Sequence, residues 1–209
     1  MLSHRFVLAG LVAAFFATGA HAATVGFQLT VATTASSGDR PQFTLMNISD
    51  VETITAFTFA INAPGYWFDY IYNETVVSGS LTRSRTVGQS VANETSGTTS
   101  LAYTTTGFGP TEAFRFRADL DAVNTADSTT NFRSVFFNNG GAAVPNATVS
   151  VSFSDGRNLS LTLSGSAGQS SYIYSAAIDD TAEVPLPATL PLALAGCVGL
   201  GLLARRRKS

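Results

Sequence analysis

The sequence predicts an all-β exterior domain, an antiparallel β-sandwich of which the jelly roll is one form. Three observations predict it. Short runs alternate apolar and polar residues with period two and are rich in Thr, Val and Phe. Clusters of Gly, Asn, Asp and Ser separate these runs. No stretch of the exterior domain sustains the 3.6-residue period of a helix. Alternation of this kind marks half-buried strands, and many short strands with turn signals mark a sandwich.

The elements follow in order. Val25, Phe27, Leu29 and Val31 alternate with Thr24, Gly26, Gln28 and Thr30, and Phe43 and Leu45 continue the pattern across 42–47. Thr55, Phe57, Phe59 and Ile61 share one face of 53–61. Residues 66–72 hold the densest aromatic run and the only Trp. Strict alternation puts Trp67, Asp69 and Ile71 on one face there, and Tyr66, Phe68, Tyr70 and Tyr72 on the other. Residues 78–106 are rich in Ser, Thr and Gly and read as polar strands or as a long excursion. Phe114, Phe116, Ala118 and Leu120 alternate with arginines and acids. Val149, Val151 and Phe153 form a run that a tight Ser154-Asp155-Gly156-Arg157 hairpin joins to Leu159, Leu161 and Leu163. Asp-Gly suits such a turn because it tolerates positive φ. A last run covers 172–176.

Both ends carry a different pattern. Residues 1–22 read as a secretory signal peptide. Arg5 supplies the positive start, 6–17 the apolar block, and Ala20-His21-Ala22 a small-residue cleavage site, with the cut placed after Ala22. Export then runs through the Sec machinery and signal peptidase. Residues 181–188 form a linker and the motif Val184-Pro185-Leu186-Pro187-Ala188. An apolar segment, 189–204, follows, and then a basic tail, 205–209, with Arg205, Arg206, Arg207 and Lys208. From 186 to 204 there is no charge. As a helix that stretch would be roughly 28 Å long at ~1.5 Å per residue, near the ~30 Å bilayer core. Pro185, Pro187 and Pro191 shorten the usable helix to 191–204, roughly 21 Å. Four cations directly after it act as a stop-transfer signal and stay cytoplasmic. The exterior domain, 23–180, is then left on the far side of the inner membrane.

The ordered tail resembles the PEP-CTERM class of sorting signals, and more closely its VPLPA variant, over about an eighth of the chain. The resemblance implies a Gram-negative bacterium, processing by a membrane-embedded exosortase, and association with an exopolysaccharide or biofilm matrix. Leu186 stands where the commonest form has Glu, which bears on the exosortase subclass. Other readings stay open. Leu186-Pro187-Ala188-Thr189 also matches most of a sortase-type cell-wall anchoring signal, with Leu190 where that signal needs Gly. A GPI signal ends in an apolar tail too, but not in four cations. A plain tail anchor without processing is the simplest reading.

Composition limits the chemistry. His4 and His21 leave with the signal peptide, and Cys197 lies in the apolar tail segment. The exterior domain therefore holds no His, no Cys and no Lys. No disulfide supports it, and Ser-His-Asp, Cys-His and His- or Cys-ligated zinc sites cannot be built. Paired-carboxylate hydrolysis remains, but the expected role is not enzymatic. Residues 23–183 set seven arginines against fourteen acids, a formal charge of −7, which repels nucleic acid.

Two candidate sites stand out. Asp119 and Asp121 fall on one face at a strand end, with Asn124 and Asp127 beyond and Asp179 and Asp180 as further carboxylates. Such oxygens can hold a structural Ca²⁺, or the strand simply ends in a solvated acidic loop. No other cofactor is implied. Tyr66, Trp67 and Tyr70 offer aromatic faces on which sugar rings stack, which would make the domain a carbohydrate-binding module. The same rings serve equally as sandwich core. Five Asn-x-Ser/Thr triplets, at Asn47, Asn73, Asn93, Asn146 and Asn158, read as polar loop and strand-end residues.

Overall fold

The computed structural model describes residues 23–34, 37–87, 97–123, 130–137, 146–165 and 168–180. The predicted signal peptide and everything from 181 onward lie outside the described residues. Among the described residues ten strands form: β1 (Thr24–Thr34), β2 (Ser37–Asn47), β3 (Ile54–Ala60), β4 (Tyr66–Ser78), β5 (Thr82–Val87), β6 (Ser100–Phe108), β7 (Ala113–Ala122), β8 (Thr148–Phe153), β9 (Asn158–Thr162) and β10 (Ser171–Asp179). A short helix, α1 (Phe132–Phe136), lies between β7 and β8.

The strands make two five-stranded antiparallel sheets packed as a sandwich, in the orders β10-β1-β2-β7-β4 and β5-β6-β3-β8-β9. Three hairpins, β1–β2, β5–β6 and β8–β9, stay within a sheet, and every other connection changes sheet. The predicted Asp-Gly turn closes β8–β9: Gly156 has φ +86°, and the Asp155 side chain accepts from the Arg157 amide at 2.9 Å. The polar stretch 78–106 supplies strands β5 and β6 within its described part.

Alternation buries Val25, Phe27, Leu29 and Val31 on β1, Phe43 and Leu45 on β2, and Phe114, Phe116, Ala118 and Leu120 on β7. Facing them are Phe57 and Phe59 of β3, Leu101 and Tyr103 of β6, and Val149, Val151 and Phe153 of β8. Aromatic rings join the layers. Phe43 stacks on Phe116 at 4.8 Å and meets Phe59 of the other sheet edge-on at 4.8 Å. Tyr103 stacks on Phe57 at 4.7 Å and meets Phe114 of the opposite sheet at 5.5 Å. Offset and edge contacts of this kind add to the gain from burial.

Three expectations need correction. Thr55 was expected to point inward with Phe57; it is exposed, and Ile54 is buried instead. Between Ile54 and Ala56 the strand carries one residue more than its neighbour β8, where Phe153 and Ser152 are adjacent. Thr55 is the bulged residue, and its hydroxyl donates to the Ser152 carbonyl at 3.2 Å. The same break recurs in β4. From Phe68 to Ile71 the strand takes three steps while β7 takes two, from Leu120 to Ala118. Phe68 and Ile71 therefore both enter the core, on what strict alternation makes opposite faces. Finally, α1 is a helix where none was expected. Its Phe132, Val135 and Phe136 are buried at helical spacing, but one turn is too short for a period to show. Asn131 caps it, accepting from the Arg133 amide at 3.0 Å.

On the β4/β5 side of the sandwich the inward positions of β5 carry Arg83 and Arg85. Arg83 lies over the Phe114 ring at 4.8 Å and donates to the Glu74 carbonyl at 2.8 Å. Arg85 approaches the Glu74 carboxylate at 3.7 Å. The buried Tyr103 hydroxyl donates to the same carboxylate at 2.6 Å. Burial first, and the Glu74 bond second, raise the Tyr103 phenol well above its usual 10.0. The folded state thus holds this proton more tightly than the unfolded chain. That contribution is fully present below about pH 10 and is lost as pH rises beyond it. Tyr103→Phe is expected to cost about 1.5 kcal/mol at neutral pH, the low end for a bond to a partly exposed carboxylate. It should also flatten the fall in stability at alkaline pH. Urea midpoints of both proteins across the alkaline range check this; parallel curves would show that Tyr103 is not the group responsible.

Candidate functional site

Alternation along β7 turns Phe114, Phe116, Ala118 and Leu120 into the core, so Arg115, Arg117, Asp119 and Asp121 face outward from the sheet. Beside them runs β4, in register Trp67 with Asp121, Tyr72 with Arg117 and Thr75 with Arg115. The bulge after Phe68 lets Phe68 enter the core while Tyr70 and Tyr72, which alternation sets on one face, stay on the outer face. Their rings stack at 5.6 Å with an interplanar angle of 18°. Partial burial raises the Tyr72 phenol above its usual value, with Arg40 the chief opposing charge and Arg117 within hydrogen-bond reach. Arg40 of β2 binds Asp119 through Nε at 2.9 Å. The outer face therefore carries a tyrosine pair, two arginines and an Arg–Asp ion pair within three neighbouring strands.

The predicted sugar-stacking residues are divided. Tyr70 belongs to the outer tyrosine pair. Tyr66 packs against the core. Trp67 is half-buried, and its indole N–H is buried without an acceptor among the described residues. Gly97 lies so close to the Trp67 ring that a Cβ there would overlap it. Tyr72, which the sequence reading left out of the site, is the ring that pairs with Tyr70. Alternation already sets Tyr70 and Tyr72 on one face; what the one-residue bulge changes is that Phe68, expected beside them, turns into the core.

The acidic positions are also separated. Asp119 and Asp121 share the outer face, and Asp121 is only 4% exposed. Asn124 and Asp127 lie outside the described residues. Asp179 accepts from the Thr24 hydroxyl at 2.8 Å, and Asp180 pairs with Arg157 at 2.7 Å. Asp179 faces Thr24, near the end of the sheet where Asn47 and Ala113 lie. Asp119 and Asp121 occupy the other end of β7, three strand positions away. Among the described residues no group of three His, Cys, Asp or Glu side chains could hold a metal ion.

The sorting motif, Val184 to Ala188, the basic residues Arg205 to Lys208 and the cleavage-site residues Ala20 and Ala22 lie outside the described residues. Among the described residues no helix is long and apolar enough to cross a membrane. Of the Asn-x-Ser/Thr triplets, Asn93 lies outside the described residues, Asn73 sits within β4 at positive φ, and Asn47, Asn146 and Asn158 fall at strand ends, where Asn47 is 0% exposed. Its amide donates to the carbonyls of Glu52 at 2.8 Å and Phe108 at 2.9 Å, and its oxygen accepts from the Ser49 amide at 2.9 Å. Comparison with family models, curated proteins and solved structures finds no match.

Proposed function

We propose that this chain is an exported surface or extracellular-matrix protein, sorted by an exosortase, with a structural or adhesive role and no catalytic one. One observation carries the reading: the VPLPA motif, an uncharged apolar segment and four cations follow one another in that order between Val184 and Lys208. The proposed course begins with Sec export and cleavage after Ala22. The tail then holds the precursor in the inner membrane until the exosortase passes the domain to the envelope or the exopolysaccharide matrix. A domain without His, Cys or Lys, closed by an aromatic core, supports a scaffold more than an enzyme. Intact-mass measurement of the protein from its host tests this. The expected mass lacks residues 1–22 and everything after roughly the VPLPA motif. A protein keeping its tail to Ser209 rejects processing.

A second reading, a carbohydrate-binding module, is favoured by the stacked Tyr70–Tyr72 pair beside Arg117 on the outer face. Flat aromatic faces stack on sugar rings, and a guanidinium orients hydroxyl or carboxylate groups. Calorimetric titration with the host's own exopolysaccharide should show binding that Tyr72→Ala weakens at least about tenfold, roughly 1.4 kcal/mol. Equal affinity of the two proteins rejects this site.

A further inference from the structure

The four sheet edges are not treated alike. Edge strands expose unpaired N–H and C=O groups, and proteins ordinarily blunt them with bulges, inward charges or shortness. β4 shows three register shifts against β7 and a positive φ at Asn73. β5 turns Arg83 and Arg85 inward. β9 is five residues long. β10 has none of these devices. It pairs with β1 over nine residues without a shift, and it carries no charge, Pro or Lys from Ser171 to Ile178. It also holds two of the large exposed apolar side chains, Ile173 at 65% and Ile178 at 44%.

We propose that the outer edge of β10 is an interface with a second copy of this chain, paired antiparallel about a two-fold axis at Ser175. The backbone phase supports this register. The Asp180 amide donates to Ala23 and the Ser170 carbonyl accepts from Thr33, so even-numbered residues point their backbone toward β1. The backbone groups of Ser171, Ile173, Ser175, Ala177 and Asp179 therefore point outward. Centring the pair on Ser175 sets Ser175 opposite itself, Ile173 opposite Ala177 and Ser171 opposite Asp179. Every outward N–H and C=O in the strand then meets an outward partner. On the core-facing side Tyr174 falls opposite Ala176 and Tyr172 opposite Ile178. Large side chains thus meet small or apolar ones, and no like charges oppose each other. The interface is isologous, as a two-fold requires, and it joins two five-stranded sheets into one of ten.

The full chain in detergent micelles provides the test. In a Cys197→Ser background, Ser175→Cys should form an intermolecular disulfide under mild oxidation. Residues opposed in a hydrogen-bonded pair have Cα atoms about 5.5 Å apart, within disulfide reach. Ser160→Cys on β9 should form none. Ile173→Lys/Ala177→Lys opposes like charges across the pair and should abolish the dimer seen by light scattering. Ile173→Lys/Ala177→Glu opposes unlike charges and should restore it. All these positions are exposed, and circular dichroism checks that the fold is kept. Absence of the Ser175→Cys dimer, or equal association of the two charge variants, overturns the proposal. The latter is the result if the tail, not β10, holds copies together.

Discussion

Phe43→Ala is expected to cost about 3–5 kcal/mol of folding stability, the range for deleting a buried aromatic ring. Phe43 is fully buried on β2, stacks on Phe116, meets Phe59 of the opposite sheet and lies 5.8 Å from Phe136 of α1. Its removal opens a cavity at the one place where both sheets and the helix converge. A domain of this size has only about 5–15 kcal/mol to lose. Urea denaturation followed by Trp67 emission measures the change. A loss under about 1 kcal/mol, the level of an ordinary surface change, would show that this ring cluster does not join the layers.

Asn47→Ala is expected to cost about 2–6 kcal/mol for a different reason. The methyl group fits, but the Phe108 carbonyl and the Ser49 amide lose their partners inside the protein, at about 1–3 kcal/mol each. The Glu52 carbonyl is nearer the surface and can turn to water. Through these bonds Asn47 ties the end of β2 to the turn before β3 and to the end of β6. Its backbone continues the tie, donating to Glu112 and accepting from Thr111. Asn47→Asp separates bonding from space-filling. It keeps the shape but aims a carboxylate oxygen at two carbonyls, so it should be at least as damaging as alanine. A near-native urea midpoint for the aspartate variant would refute the role assigned to the amide.

Much of the sandwich was legible because side-chain alternation is a local property of an extended chain. The inward sets of β1, β2, β7 and β8 could be read directly, and so could the Asp-Gly hairpin. Asn47 is in phase with Phe43 and Leu45, but it reads from the sequence as a polar strand-end residue, and it is buried. What could not be read was who would satisfy it, because Ser49, Glu52 and Phe108 come from different parts of the chain. Arg83 and Arg85 mislead in the opposite way. Two arginines in a polar run suggest a solvated face, yet Glu74, Tyr103 and Phe114 draw them inward.

The candidate site was legible as composition and in part as geometry. The aromatic run of β4 and the shared face of Tyr70 and Tyr72 were plain, but the register slip between Phe68 and Ile71 took Tyr66 and Phe68 off that face. Tyr66 packs toward the core with Phe68, and Tyr70 stacks on Tyr72 outside. The acids were likewise visible, while strand order put Asp179 and Asp119 at different ends of the sheet.

By itself, the order of residues determined that residues 23–180 would be made of strands, which side chains would face inward along unbroken runs, and which chemistries a domain without His or Cys cannot perform. Only the tertiary structure decided where Thr55 and the bulge after Phe68 break that order, which polar groups close the ends of the sandwich, and that, among the described residues, no strand pairs with the outer edge of β10. The physical reason is that a strand's two faces follow from its own backbone. A bulge, a buried hydrogen bond or an edge exists only relative to the neighbouring strand, and that neighbour is chosen by the whole chain packing at once.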